Sequence, residues 1–257
     1  MVDGVGAIDH LSIQWSIPLV TSRDNGVCAQ PAPAAKDGAL LRQVMAALPI
    51  LADLSRTDLL LYRMSGADQV VVEAQARPNS LSPLYPQLAA GTPATPSVRA
   101  EVLKAFAARP WRRHVRTATV QGAPVARELL PIYGHAGRAI AVLGIDTSWL
   151  AHERQLRRSI HFRRALHGLQ ETALRGELAG AEDLAPFGEH DGVMVVDVDM
   201  RIRYVSGIAA NLYRRLGYAE SLVGQHISVL ETRDEALALA ALHEKRCLEE
   251  QATEHDF

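Results

Sequence analysis

The stretch from Thr147 to Ala181, TSWLAHERQLRRSIHFRRALHGLQETALRGELAGA, contains no proline and constrains the rest of the chain. Leu156, Ile160, Phe162, Leu166, Leu169, Ala173, Leu174 and Leu178 recur mostly at three- and four-residue steps with arginines between them, which predicts a single amphipathic helix. At 1.5 Å rise per residue, a helix of about 35 residues spans ~50 Å. No small core covers that length, so such a helix connects modules, pairs with a second copy, or does both.

The totals set outer bounds. A chain of 257 residues has room for two ordinary domains, each able to bury a proper core. Hydrophobic residues at 48% and charged ones at 22% exclude bulk disorder. No apolar run approaches the ~20 residues that span a bilayer, and the opening MVDGVGAIDHLSIQWS lacks a basic n-region. The expected address is the cytoplasm, with no membrane partner. Cys28 and Cys247 stand alone, without C-x-x-C or His/Cys spacing, so plain thiols are expected and no metal site. A net charge of -2 gives no global pull toward nucleic acid.

Taken in order, residues 1–36 form an N-terminal extension. Leu11, Ile13, Trp15 and Ile17 alternate like a strand until Pro18 and SRDNG cut it short, and PAPAAK follows as a linker. From Asp37, Leu40, Leu41, Val44, Met45 and Leu48 fit an amphipathic helix that Pro49 is placed to interrupt before it continues through Leu51 and Leu54. DLLLYRM (58–64) and QVVVEAQARP (69–78), joined by SGAD, read as a β-hairpin. The proline-rich NSLSPLYPQLAAGTPATPS (79–97) reads as a long loop over the face of that hairpin. A helix over Val98–Arg109 and strands near 114–120, 125–133 and 138–146 follow, the last two joined by GHAG. This order predicts an α+β class, with an antiparallel sheet covered by helices. After a break at Gly188–Asp191, two strands turned at Asp197–Met200, short helices and a helical stretch over Arg233–Glu250 open a second module.

The second module, 188–257, resembles a PAS domain in its strand DGVMVVDVD, its strand RIRYVS, its helical ANLYRRLGY and its SLVGQHISVL. The resemblance covers the first half of such a domain, so an incomplete PAS-like module is expected. The first module, 37–147, resembles the GAF-like sensor domain of actinobacterial-type cytoplasmic sensor histidine kinases in LPILADLSRTDLLLYRM, VVVEAQARP, and VARELLPIY followed by RAIAVL. The resemblance implies a GAF-like domain, a linker or signalling helix over 148–183 and the PAS-like module. Together these imply the sensory input region of a two-component histidine kinase. It also implies a response regulator, of the RNA-binding antitermination type, as partner of the full-length protein. ATP is then the business of a kinase domain that nothing in these residues resembles, and no cofactor is expected in this chain. Homodimerisation through 148–183 is a corollary of the helix.

SIHFRRALHGLQ echoes a phosphoacceptor box around His161, but Ser159 stands where the acidic residue belongs and Leu166 to Gly168 replace the lysine and asparagines. The arginines of the helix fit a solvated flank better than a nucleic-acid stripe, because no aromatic platform or helix-turn-helix accompanies them. GQHISVL resembles oxygen-sensing PAS domains, whose axial histidine lies further along, near Leu239 here, so His226 and His243 do not match and no haem is expected. No G-x-S-x-G, H-E-x-x-H or G-x-G-x-x-G occurs, which leaves no catalytic residue to assign. The candidate ligand contacts are Tyr62, Arg77 and Tyr133 in the first module and Tyr204 and Tyr213 in the second, each weighed against an ordinary place in core or solvent. Arg77, at a strand end before the long loop, would meet an anionic ligand. The rival readings are an input region for a phosphatase or cyclase, and a nucleic-acid-associated adaptor.

Overall fold

The computed structural model describes residues 33–66, 68–108, 113, 115–188, 190–230 and 234–249. The strand-like alternation at Leu11–Ile17 lies outside them. The chain divides into two compact units, with the boundary between Glu189 and His190.

In the first unit, helix α1 (Pro33–Ser55) precedes strands β1 (Asp58–Met64) and β2 (Val70–Ala76). Helix α2 (Pro96–Ala107) follows, then β3 (Val115–Val120), β4 (Ala123–Tyr133) and β5 (Ala139–Ser148). The five strands form one antiparallel sheet in the order β2-β1-β5-β4-β3. Alternation along β1 sends Leu59 and Leu61 to one face and Leu60 and Tyr62 to the other. The second set joins Val70, Val72, Leu129 and Val142 with Val102 and Ala105 of α2 in one buried cluster. Val44, Leu48 and Leu51 of α1 are buried with the first set. The sheet therefore has helix on both faces, an α+β arrangement as expected.

Local chemistry explains the joints. Gln121 and Gly122 both have positive φ (49° and 83°) between paired Val120 and Ala123, the two-residue hairpin turn whose twist matches the strands. Helix α1 runs through Pro49, whose side is exposed, and it begins at Pro33 inside the stretch expected to be a linker. By length and composition α1 also passes for a membrane span, but half of that stretch is buried in the unit.

The single helix expected over 148–183 is a correction. The chain forms α3 (Trp149–Leu156) and α4 (Ile160–Leu174), followed by a 3-10 turn at Ala181–Asp183. Ser148 caps α3 by accepting from the Ala151 amide, and Ser159, in extended backbone, caps α4 by accepting from the His161 amide at 3.2 Å. A capping serine breaks the ladder because its own backbone leaves the helical region. Phe162, Leu169 and Ala173 are buried, and α4 packs against α1. Part of the stripe that seemed to need a distant partner thus closes the first unit's own core, and that unit extends past 147 to Glu189. Gly176, at φ 69°, lets the chain turn where a Cβ would meet Leu40 Cδ1 at 2.6 Å.

The second unit holds a hairpin of β6 (Met194–Val196) and β7 (Ile202–Val205), helix α5 (Gly207–Arg215), a 3-10 turn and helix α6 (Asp234–Glu244). Its core gathers Ile202, Tyr213, Leu222, Ile227 and Leu230. The turn rests on Asp197, whose Oδ1 accepts from the amides of Asp199 and Arg201 at 3.0 and 2.9 Å.

Candidate functional site

The α2 face of the sheet carries a buried polar row across three strands. Asp58 of β1 pairs with Asp146 of β5, which pairs with Arg127 of β4. Residues directly opposite in an antiparallel ladder point to the same face, so two carboxylates and a guanidinium lie side by side beneath the 77–95 loop. Arg127 is 5% exposed and Asp146 fully buried. Their bond is bidentate, Nε to Oδ1 at 2.8 Å and Nη2 to Oδ2 at 2.7 Å, the geometry that makes arginine-carboxylate pairs strong. Arg127 Nη1 reaches Glu101 of α2 at 3.5 Å, and Nη2 donates to the Tyr85 hydroxyl at 3.1 Å. That hydroxyl donates in turn to Asp146 Oδ2. Tyr85 thus brings the loop onto the ion pair.

The electrostatics follow from burial. Desolvation works against the Arg127 charge, but the bonds and charge of Asp146 outweigh it and hold the guanidinium protonated more firmly than usual. Burial first, and then the Asp146 charge, push the phenols of Tyr62 and Tyr85 above their ordinary range. Asp58 is raised as well, chiefly by burial and in part by Asp146, against the lowering pull of the Leu84 and Tyr85 amides and of Arg77.

The loop is strapped down by polar side chains of β1, β2 and their ends. Leu84 N donates to Asp58 Oδ2 at 2.9 Å, Ala89 N to Gln75 Oε1 at 2.7 Å, and Arg77 Nη1 to Pro86 O at 3.3 Å. Asn79, at the loop's start, donates from its amide and Nδ2 to Asp53 of α1 at 2.6 and 2.9 Å. Backbone bonds between Val72 and Thr92 and between Ala94 and Val70 close the far end on β2. Beneath the strap, Asp58 Oδ1, Gln75 Nε2, Arg77 Nε and Ser80 Oγ are buried with no partner among the described residues. An orphan of this kind costs ~1–3 kcal/mol when nothing fills it.

Of the residues singled out from sequence, Tyr62 and Arg77 belong to this site. Tyr62 is buried on the α2 face, with its ring against Gly144, where a Cβ would stand 2.8 Å from it. Arg77 holds the strap rather than standing in solvent. Tyr133 ends β4, six residues from Arg127 and so ~20 Å along the strand, and is half-exposed. Tyr204 and Tyr213 are in the other unit. There Tyr213 is a core residue whose hydroxyl donates to Asp234 Oδ2 at 2.8 Å. Sequence reasoning missed Arg127, Asp146, Asp58, Tyr85, Gln75 and Glu101. The signal was present: Arg127 is a charge set in step with the apolar Val125 and Leu129, and Asp146 with Val142, and a charge in a core stripe demands a partner.

On the opposite face, Arg113 donates to both carboxylate oxygens of Glu128 and to Gln170 Oε1 of α4. This fastens α4 to β4. Burial, and then the Arg113 charge, lower the nearby His167 imidazole. His161, the phosphoacceptor echo, is an exposed residue in the first turn of α4.

Comparison with known proteins agrees with this architecture. The family described as histidine kinase PdtaS, GAF domain, matches residues 28–165, more than half of the chain. A solved structure described as the sensor region of a sensor histidine kinase is similar at 25% identity and a TM-score of 0.53, over 78% of this chain and 70% of that one. An IclR-type transcriptional regulator from Alicyclobacillus acidocaldarius is similar at 14% identity, with a TM-score of 0.36 over 58% of this chain and 69% of that one. No curated protein matches.

Proposed function

The chain belongs to the family of the histidine kinase PdtaS GAF domain, and from that premise we propose that its first unit senses a small ligand beneath the 77–95 strap. The chain is the sensory input region of a histidine kinase. One observation carries the finer reading: the strap hangs on the same buried side chains that leave polar atoms without partners, so a ligand that satisfies those atoms also changes how the strap is held. A ligand moves an equilibrium only through differential affinity for two states, and here the two states would differ in how the strap is bonded to Asp58, Gln75 and Arg77.

A histidine kinase acts on a response regulator, and we assign the RNA-binding antitermination type from the resemblance of the first module. ATP then serves the kinase's catalytic domain, and the sensor itself needs no cofactor. Residues 188–257, with their hairpin, short helices and α6, are read as a PAS-like module, and the protein is placed in the cytoplasm. Homodimerisation is assigned to the flank of α3 and the start of α4, where Trp149, Leu150, Leu156 and Ile160 are exposed. Light scattering at tens of micromolar is expected to give a dimer; a monomer there removes this part.

The test of the sensing reading is autophosphorylation of the full-length kinase carrying Tyr85→Phe, which takes the strap off the ion pair without emptying its apolar seat. The expected change in rate is about fivefold or more, the ordinary scale of coupling between sites, with the KM for ATP unchanged. An unchanged rate in a folded variant overturns it.

A further inference from the structure

Asp58, Gln75 and Arg77 share a pattern: each spends one polar atom on the strap and keeps a second, buried, without a partner among the described residues. Asp58 gives Oδ2 to Leu84 N and keeps Oδ1; Gln75 gives Oε1 to Ala89 N and keeps Nε2; Arg77 gives Nη1 to Pro86 O and keeps Nε. Their positions are fixed by register. Gln75 lies opposite Leu60, Asp58 is two residues before Leu60 on the same face, and Arg77 is two residues beyond Gln75. Strand spacings put these corners ~5 Å apart across the ladder and ~7 Å along it. The set comprises one carboxylate oxygen that accepts and two nitrogens that donate.

We propose that this corner of the sheet binds a small zwitterion of the α-amino-acid class, its ammonium on Asp58 Oδ1 and its carboxylate on Gln75 Nε2 and Arg77 Nε. A plain anion meets the carboxylate of Asp58, which repels it. A plain cation leaves the Gln75 and Arg77 donors unfilled. A molecule with both groups within a few ångströms answers all three. This rests on the reading of the strapped face as the sensor's ligand site.

The test is calorimetric titration of the whole chain with the twenty common L-amino acids, and for any that binds, with its methyl ester and its N-acetyl derivative. The expected result is saturable binding of at least one amino acid, with both derivatives weaker by about tenfold or more. Gln75→Met and Asp58→Asn, each checked for fold by circular dichroism, are expected to weaken it by a similar factor. No saturable binding, leaving the orphan atoms to water, overturns the inference, and so does a derivative that binds as well as its parent. A metabolite screen separates the two readings. A non-zwitterionic compound that binds and is lost in the same variants sinks the zwitterion and keeps the ligand site. Compounds whose binding none of the variants touches sink both.

Discussion

Arg127 is a full charge buried among aliphatic strands, and it is tolerated there only because Asp146, Glu101 and Tyr85 surround it. Removing one member of such a pair strands the other, at about 3–5 kcal/mol, whereas replacing both with apolar groups is far less costly. Arg127→Met is therefore expected to lose about 3–5 kcal/mol in urea unfolding, and Arg127→Met with Asp146→Leu to lose less than either alone. Additive losses would show that the pair is not coupled. Asp58 behaves in the opposite sense. Its folded pKa is raised, chiefly by burial, so its contribution is whole below the unfolded value of about 3.9 and fades as pH rises through the folded one. Asp58→Asn has no such titration. The stability of the variant relative to the wild type should climb from pH 4 toward neutrality, and a difference that stays flat or falls would refute the assignment.

Among the elements, strands were legible and helix breaks were not. The short β-rich runs in DLLLYRM and QVVVEAQARP, bounded by the SGAD turn, mark β1 and β2 to within a residue or two, because a strand covered on both faces reads as a brief apolar run between turn signals. The polar row went unread for a related reason: alternation shows that Arg127 and Asp146 point inward but not that register sets them opposite each other. The long helix misled because α3 and α4 keep an apolar period of three and four across Arg157–Ser159, and a hydrophobic stripe carries no mark of where the backbone leaves the helix. The marks that exist are chemical, in the capping serines and in Gly176. Ser159→Ala is expected to cost about 1 kcal/mol, since α4's packing on α1 does not depend on it. Gly176→Ala should cost more, because it adds a left-handed non-glycine residue to a Cβ 2.6 Å from Leu40 Cδ1. Thermal unfolding of the two variants ranks them, and the reverse order would show that the serine and not the glycine ends the helical path.

At the scale of the first unit, the strap and the chain's exit meet on one side chain. Asp53 is 1% exposed in the last turn of α1, where a helix's own dipole disfavours an acid. Among the donors that hold it there are the amide and Nδ2 of Asn79 at the start of the strap, and at 3.2 Å the amide of Phe187. Phe187 lies just before the boundary at Glu189, beyond which the second unit begins. A carboxylate has two oxygens, and here both are committed, so any movement of Asn79 that turns the group changes its hold on Phe187 as well. A sensor needs some such mechanical link from its ligand face to the segment that leaves it, and Asp53 of α1 bonds to both the strap and that segment. If the link is real, Asp53→Ala should raise hydrogen exchange at Asn79 and at Phe187 together, with a stability loss of roughly 2–4 kcal/mol from the lost charged hydrogen bonds. Asn79→Ala provides the directional test. It removes one donor from the carboxylate and leaves the Phe187 bond formally intact, so faster exchange at Phe187 in that variant can come only through Asp53. Unaltered exchange at Phe187 would mean that strap and exit share an anchor without being coupled, and transmission would then have to run through the Arg113–Gln170 contact on the opposite face.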